Sequence, residues 1–150
     1  MKIHKTYKFR AYPNEEQLTK VPQQSGNTRF VWNHFLNLNI KEYNENKKFI
    51  FGYDLMKTLP KLKKEFTFLK SSYSQCLQQV GLHFDKAIHE FIKKQKGFPK
   101  HKKKLNKSDS IHYPQSFKIG KNYVQLPKLG KIKIIKHREI KGKVRNVTLK

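Results

Sequence analysis

YVQLPKLGKIKIIKHREIKGKVRNVTL, residues 123–149, decides the fold. Apolar and polar residues alternate in it. Residues 123–126, 131–135 and 144–149 each read as a strand of period two, and Pro127, Gly130 and Gly142 separate them. A set of late strands therefore needs a partner and a cover, and the rest of the chain supplies both.

The N-terminus holds the partner. Ile3, Lys5, Tyr7, Phe9 and Ala11 share one face of an extended segment, with Lys8 and Arg10 opposite, and Tyr12-Pro13 ends it. Between the first strand and the late ones the period is helical. Asn14 with Gln17 three residues on is a capping box, Pro22 should cut the helix it opens, and Ser25-Gly26-Asn27 makes a turn. A second helix is expected over residues 28–46, where Val31, Phe35, Leu38 and Tyr43 recur and Phe30 and Trp32 widen the stripe. Asp54 caps a third, carrying Leu55, Leu59 and Leu62, which Pro60 divides. The clearest helix opens with Ser72 and Gln75 as a capping pair. Tyr73, Leu77, Val80, Phe84, Ile88 and Phe91 follow on one face, and Gly97 stands as terminator. Strand, helical block, strands: the class is α+β, with the helices inserted in a small β unit. The bounds are residues 1–12, 13–97 and 98–150.

Charge narrows the function. There are 34 Lys+Arg against 10 Asp+Glu, a formal net charge of +24. Such self-repulsion is tolerated when a polyanion neutralises it. A membrane fits less well, since no apolar run approaches the roughly 20 residues of a spanning helix and the N-terminus lacks a signal-like stretch. A lone cysteine, Cys76, excludes an internal disulfide and a cysteine-rich zinc site. The expected location is cytoplasmic.

Catalytic chemistry finds little to work with. The acidic residues sit on helix faces or at caps, where solvation and capping explain them, and no group of carboxylates suits a two-metal nuclease. His83 and His89 are six apart, on different faces of the long helix, and His4, His34, His101, His112 and His137 are scattered. Cys76 beside the apolar stripe reads as a buried, inert thiol. No cofactor and no metal site is called for.

Binding is the stronger reading. Lys93, Lys94, Lys96, Lys100, Lys102, Lys103, Lys104 and Lys107 form a run suited to phosphate contacts, and Lys131, Lys133, Lys136, Lys141 and Lys143 continue it through the strands. A disordered solubilising linker would have the same composition, but the strands beyond it argue for order. Phe98 within the run either stacks on a base or anchors it to the core. At the start of the long helix Ser74, Gln75, Gln78 and Gln79 gather, and glutamine can pair with adenine while helix N-termini favour phosphate. Capping and plain surface polarity explain Ser74 and Gln75 equally well.

Seven segments in order complete the reading: YKFRAYPNEEQ, RFVWNHFL, YDLMKTLPKLKKE, SQCLQQ, GFPKHKKK, VQLPKLGKIKI and GKVRNVTL. Together they resemble the N-terminal part of the TnpB/OrfB family of transposon-encoded RNA-guided nucleases, whose N-terminal domain is described as helix-turn-helix. The resemblance implies a wedge-like β-barrel with a helical recognition lobe inserted after its first strand. It implies guide RNA and DNA as partners, and a metal-dependent nuclease domain downstream of the matched segments. The expectation is thus a nucleic-acid-binding fragment truncated before that domain and incomplete at its C-terminal strands. A separately encoded nuclease domain is a further partner that would complete it, and a stand-alone transposon-end binder is the rival. The match of SQCLQQ to the family's DNA-facing helix start makes Ser74 and Gln78 DNA-reading candidates, with Tyr53 in the YDL segment and Tyr113 in the return loop beside them. VPQQSGNTRF, residues 21–30, departs from the more apolar family pattern.

Overall fold

The computed structural model describes residues 2–104 and 110–150. In chain order they form β1 (Arg10–Tyr12), α1 (Glu15–Asn46), α2 (Gly52–Lys57), α3 (Leu59–Glu65), a 3-10 turn (Thr67–Ser71) and α4 (Ser74–Ile92). Five strands follow: β2 (Ile111–Tyr113), β3 (Lys118–Ile119), β4 (Tyr123–Leu126), β5 (Gly130–Ile135) and β6 (Val147–Leu149). The protein is α+β, and the first strand does pair with a late one.

Two antiparallel sheets result. One has four strands in the order β1-β5-β4-β3, and the other pairs β2 with β6. No closed barrel is formed among the described residues. The register puts Ala11, Ile119, Val124, Leu126, Ile132 and Ile134 on one face of the larger sheet, against Ile111, Tyr113 and Cys76 in a β-side core. A second core lies among the helices, around Val31, Phe35, Leu36, Leu55, Leu77, Phe84 and Ile88.

Pro22 does not cut α1. The expected helix, turn and second helix are one helix of 32 residues, with Ser25, Gly26 and Asn27 inside it. Its buried face explains the difference. Gln17, Gln24, Asn27 and Thr28 lie along its first half, and Val31, Trp32, Phe35 and Leu36, with Asn39 beyond them, along its second. Gln17 Nε2 donates to the Leu129 and Lys131 carbonyls at 3.1 and 2.7 Å while Oε1 completes the capping box with Asn14. Tyr113 donates to Gln24, and Asn27 donates to Ser72 Oγ at 2.8 Å. These bonds hold the chain helical across a residue that removes one rung of the ladder.

Other boundaries move for local reasons. β1 is three residues long because its partner strand ends at Ile135; residues before it are held by side chains, with Arg138 over the Tyr7 ring and Phe9 against His137. Ser72 is not a cap, since its hydroxyl is buried against Asn27; the cap is Tyr73 and α4 starts at Ser74. α4 ends at Ile92, before Gly97. Lys94 takes the left-handed conformation (φ 58°), its amide bonds to the Phe91 carbonyl, and the Gln95 amide reaches Glu90. That is a Schellman ending with lysine where glycine is preferred. Pro60 lies at the start of α3 and divides the third helix as expected.

Candidate nucleic-acid interface

The basic run leaves α4 and turns back along α1, where it is pinned. Phe98 packs edge-on against Phe91 and tilts over Phe49, which makes it the anchor. The Trp32 indole donates to the Lys100 carbonyl at 2.9 Å. One turn of α1 further, the Asn37 side chain meets the His101 ring. Asn33 closes both backbone groups of Lys102, with Nδ2 donating to its carbonyl at 3.0 Å and Oδ1 accepting from its amide at 2.8 Å. The ammonium of Lys102 lies 4.3 Å over the Trp32 ring. Lys93, Lys94, Lys96, Lys100, Lys103 and Lys104 are exposed, so a fixed main chain presents them to solvent. Lys96 is paired with Glu90. Lys107 lies outside the described residues. The RFVWNHFLN segment was legible as a helix but not as the anchor of this strap, because Trp32 and Asn33 bind main chain, and Asn37 a lone histidine, rather than a patterned partner.

At the start of α4, Ser74 and Gln78 are one turn apart and both exposed. Lys63 donates to Ser74 Oγ at 2.8 Å, and its pKa is lowered by burial and by repulsion from Lys128. Two cations thus stand near the end of α4 whose free amides favour phosphate. The other two DNA candidates lie elsewhere. Tyr53 is exposed, but it follows Gly52, whose amide is bonded to Asp85, about 16 Å of helix rise beyond Ser74. Tyr113 is fully buried, against the expectation of a reading residue: its ring stacks on Tyr73, burial raises its pKa and that of neighbouring Cys76, and its hydroxyl bonds to Gln24. Tyr113 supports the first turn of α4 from below. The Cys76 thiol, pushed up to about 12, is the inert group expected.

The third basic surface is the outer face of the larger sheet. Lys131 and Lys133 are exposed on β5, and Arg10 and Lys118 join them on β1 and β3. A feature missed in the sequence is the His83–His112 pair, with ring centroids 4.4 Å apart across α4 and β2. Burial lowers both pKa values, that of His112 to about 4, with repulsion from His83, Lys102 and Lys150 adding to it. No group of three or more His, Cys, Asp or Glu among the described residues could hold a metal ion. Among them, too, no helix is long and apolar enough to cross a membrane.

Known proteins match this chain along its length. Residues 1–48 fit a family described as a helix-turn-helix domain of OrfB proteins. An Escherichia coli K12 protein named "Putative RNA-guided DNA endonuclease InsQ" is 31% identical over 153 residues, covering 99% of this chain and 38% of its own length. A Streptomyces pristinaespiralis protein named "Putative RNA-guided DNA endonuclease" is 26% identical over 116 residues, 76% of this chain and 29% of its own length. The chain is TnpB/OrfB-like. It spans less than two-fifths of these relatives, and over the matched residues 1–48 it folds as a strand and one unbroken helix rather than as two helices about a turn.

Proposed function

We propose that this TnpB/OrfB-like chain binds guide-type RNA and element-adjacent duplex DNA. The pinned strap carries the reading: a main chain bonded to α1 by Trp32 and Asn33, with the His101 side chain held by Asn37, keeps a row of exposed lysines in place, which a solubilising linker would not do. A main chain already fixed loses little further entropy when its lysines meet a phosphate backbone, and counterion release adds affinity. RNA backbone lies along the strap and the Lys131–Lys133 strand. Duplex DNA approaches Ser74 and Gln78, with Lys63 and Lys128 on its phosphates, while guide pairing does most of the sequence selection. Both relatives are named for RNA guidance and DNA cleavage. Cleavage is assigned to none of the described residues.

The test is a salt-titrated competition among RNA from the end of the chain's own element, a scrambled RNA of equal length, and element-end duplex. Preference for the native RNA that survives rising salt is the expected result. Equal binding to all three that collapses together would reduce the chain to a basic surface and defeat the reading.

A further inference from the structure

The geometry points to the outer face of the four-stranded sheet as a site for unpaired nucleotides of RNA, with Tyr12 as the surface on which a base stacks. This rests on the nucleic-acid reading above and assigns it a strand type and a place.

Cross-strand pairing builds the face in rows. Arg10 stands opposite Ile135, Tyr12 opposite Lys133 and then Tyr123, and Lys131 opposite Gln125 and then Lys118. Tyr12 and Ile135 are 45% and 51% exposed, so an aromatic ring and an aliphatic side chain lie open to water at diagonal positions on one face. Arg10, Lys118, Lys131 and Lys133 surround them, and no paired position on the face is acidic. An exposed ring among cations is complementary to a base and its flanking phosphates.

Tyr123 is arranged differently. Its ring lies against Gly120, where an added Cβ would come within 2.1 Å of a ring atom, and the Lys131 ammonium sits 4.8 Å from its centroid. Gly120 seats the Tyr123 ring, and the ring holds the Lys131 ammonium. Tyr12 is left as the open ring.

The face selects for single strands because a duplex keeps its bases stacked on one another and offers a flat sheet only its backbone. An unpaired base can lie on Tyr12 while Lys131 and Lys133 meet the phosphates on either side. Gln125 and the Tyr123 hydroxyl can donate to or accept from a 2′-hydroxyl, which gives RNA the advantage over DNA of the same sequence.

The experiment measures binding of the full chain, by fluorescence anisotropy at physiological salt, to an unstructured RNA, the same sequence as single-stranded DNA, and its duplex. Tyr12→Ala is expected to weaken RNA binding about 5- to 100-fold, the range for one lost base stack, and to leave duplex binding within about twofold. Tyr12→Phe should retain the RNA affinity, and in Tyr12→Trp the new indole should quench when RNA binds. Equal losses on all three ligands, or none, would overturn the assignment, as would a shift of the wild-type chain from oligomer to monomer on Tyr12→Ala, which would make the face a contact between copies. Failure of the wild-type chain to hold any of the three ligands would instead overturn the nucleic-acid reading itself.

Discussion

The side-chain amide of Asn33 satisfies the carbonyl and the amide of Lys102 together, as an adjacent strand would, so one residue of α1 fixes the register of a basic segment 69 positions away. The pair is exposed to water, and its stabilising effect is accordingly modest. Asn33→Ala should lower stability by about 1 kcal/mol. It should also release the Lys102 amide to rapid hydrogen exchange and weaken RNA binding several-fold. Unchanged protection at Lys102 would show that Trp32 and Asn37 hold the strap without it.

Pro22 sits eight residues into α1, where it has no amide to give to the Leu18 carbonyl. Helix interiors disfavour proline by about 3 kcal/mol relative to alanine. Pro22 is exposed and its neighbours Val21 and Gln24 make the inward contacts, so Pro22→Ala removes no packing. Stability in denaturant should rise, by up to about 3 kcal/mol. A neutral result would mean that α1 bends at this point to absorb the ring.

The same stretch shows where reading the sequence succeeds and fails. Period-two alternation located β4 at its observed bounds and β5 to within one residue, and the Leu77–Ile88 stripe located α4, because in each case apolar burial sets the pattern. In the first half of α1 the buried residues are Gln17, Gln24 and Asn27, and amides that satisfy distant main chain leave no hydrophobic period. Proline and Ser-Gly-Asn then dominate the local reading and predict a turn. β2 was missed because it is three residues long and needs β6, 34 or more positions away, to exist. Of the site, the lysines were legible from charge alone. Tyr12 was legible only as a strand terminator, since its place opposite Lys133 is set by a register that local sequence does not encode.

Gln17 provides a test of the polar face. Its amide oxygen caps α1 and its amide nitrogen serves two carbonyls of the β4–β5 hairpin. Gln17→Glu keeps the cap and replaces the donor with an acceptor aimed at those carbonyls. A loss of about 2 kcal/mol is expected, the range for buried groups left unsatisfied. Amide exchange should rise in β5 more than in the first turn of α1. Exchange that rises only at the helix start would show the cap to be the dominant role.

Acid should loosen the junction between α4 and the β2–β6 pair. His112 has a folded pKa near 4 against an ordinary value of 6.5, so the unfolded chain binds the proton more readily. The contribution of the neutral ring is present above pH 6.5 and is lost as pH falls from there through about 4. His83 is shifted in the same direction, by burial and by Lys102 and Lys86, and adds to the slope. The Ser110 and Thr148 hydroxyls on the two ring nitrogens of His112 suit the neutral ring, which needs one donor and one acceptor. His112→Gln should flatten the fall in melting temperature between pH 6.5 and 4. A slope unchanged in that variant would assign the acid sensitivity to other groups.

Lys94 combines a strained backbone with a candidate phosphate contact. Its φ of 58° costs an L-residue about 1–2 kcal/mol, which glycine avoids. If the lysine is kept for its charge, stability and binding should move in opposite directions. Lys94→Gly should raise stability by about 1 kcal/mol and reduce the slope of log affinity against log salt by about 0.7 for single strands. Lys94→Gln separates the causes, since it removes the charge and leaves the backbone strained: the salt slope should fall as in the glycine variant while stability stays near wild type. A glycine variant that is more stable and binds with an unchanged salt slope would take Lys94 out of the interface and leave its side chain as a solvated end of α4.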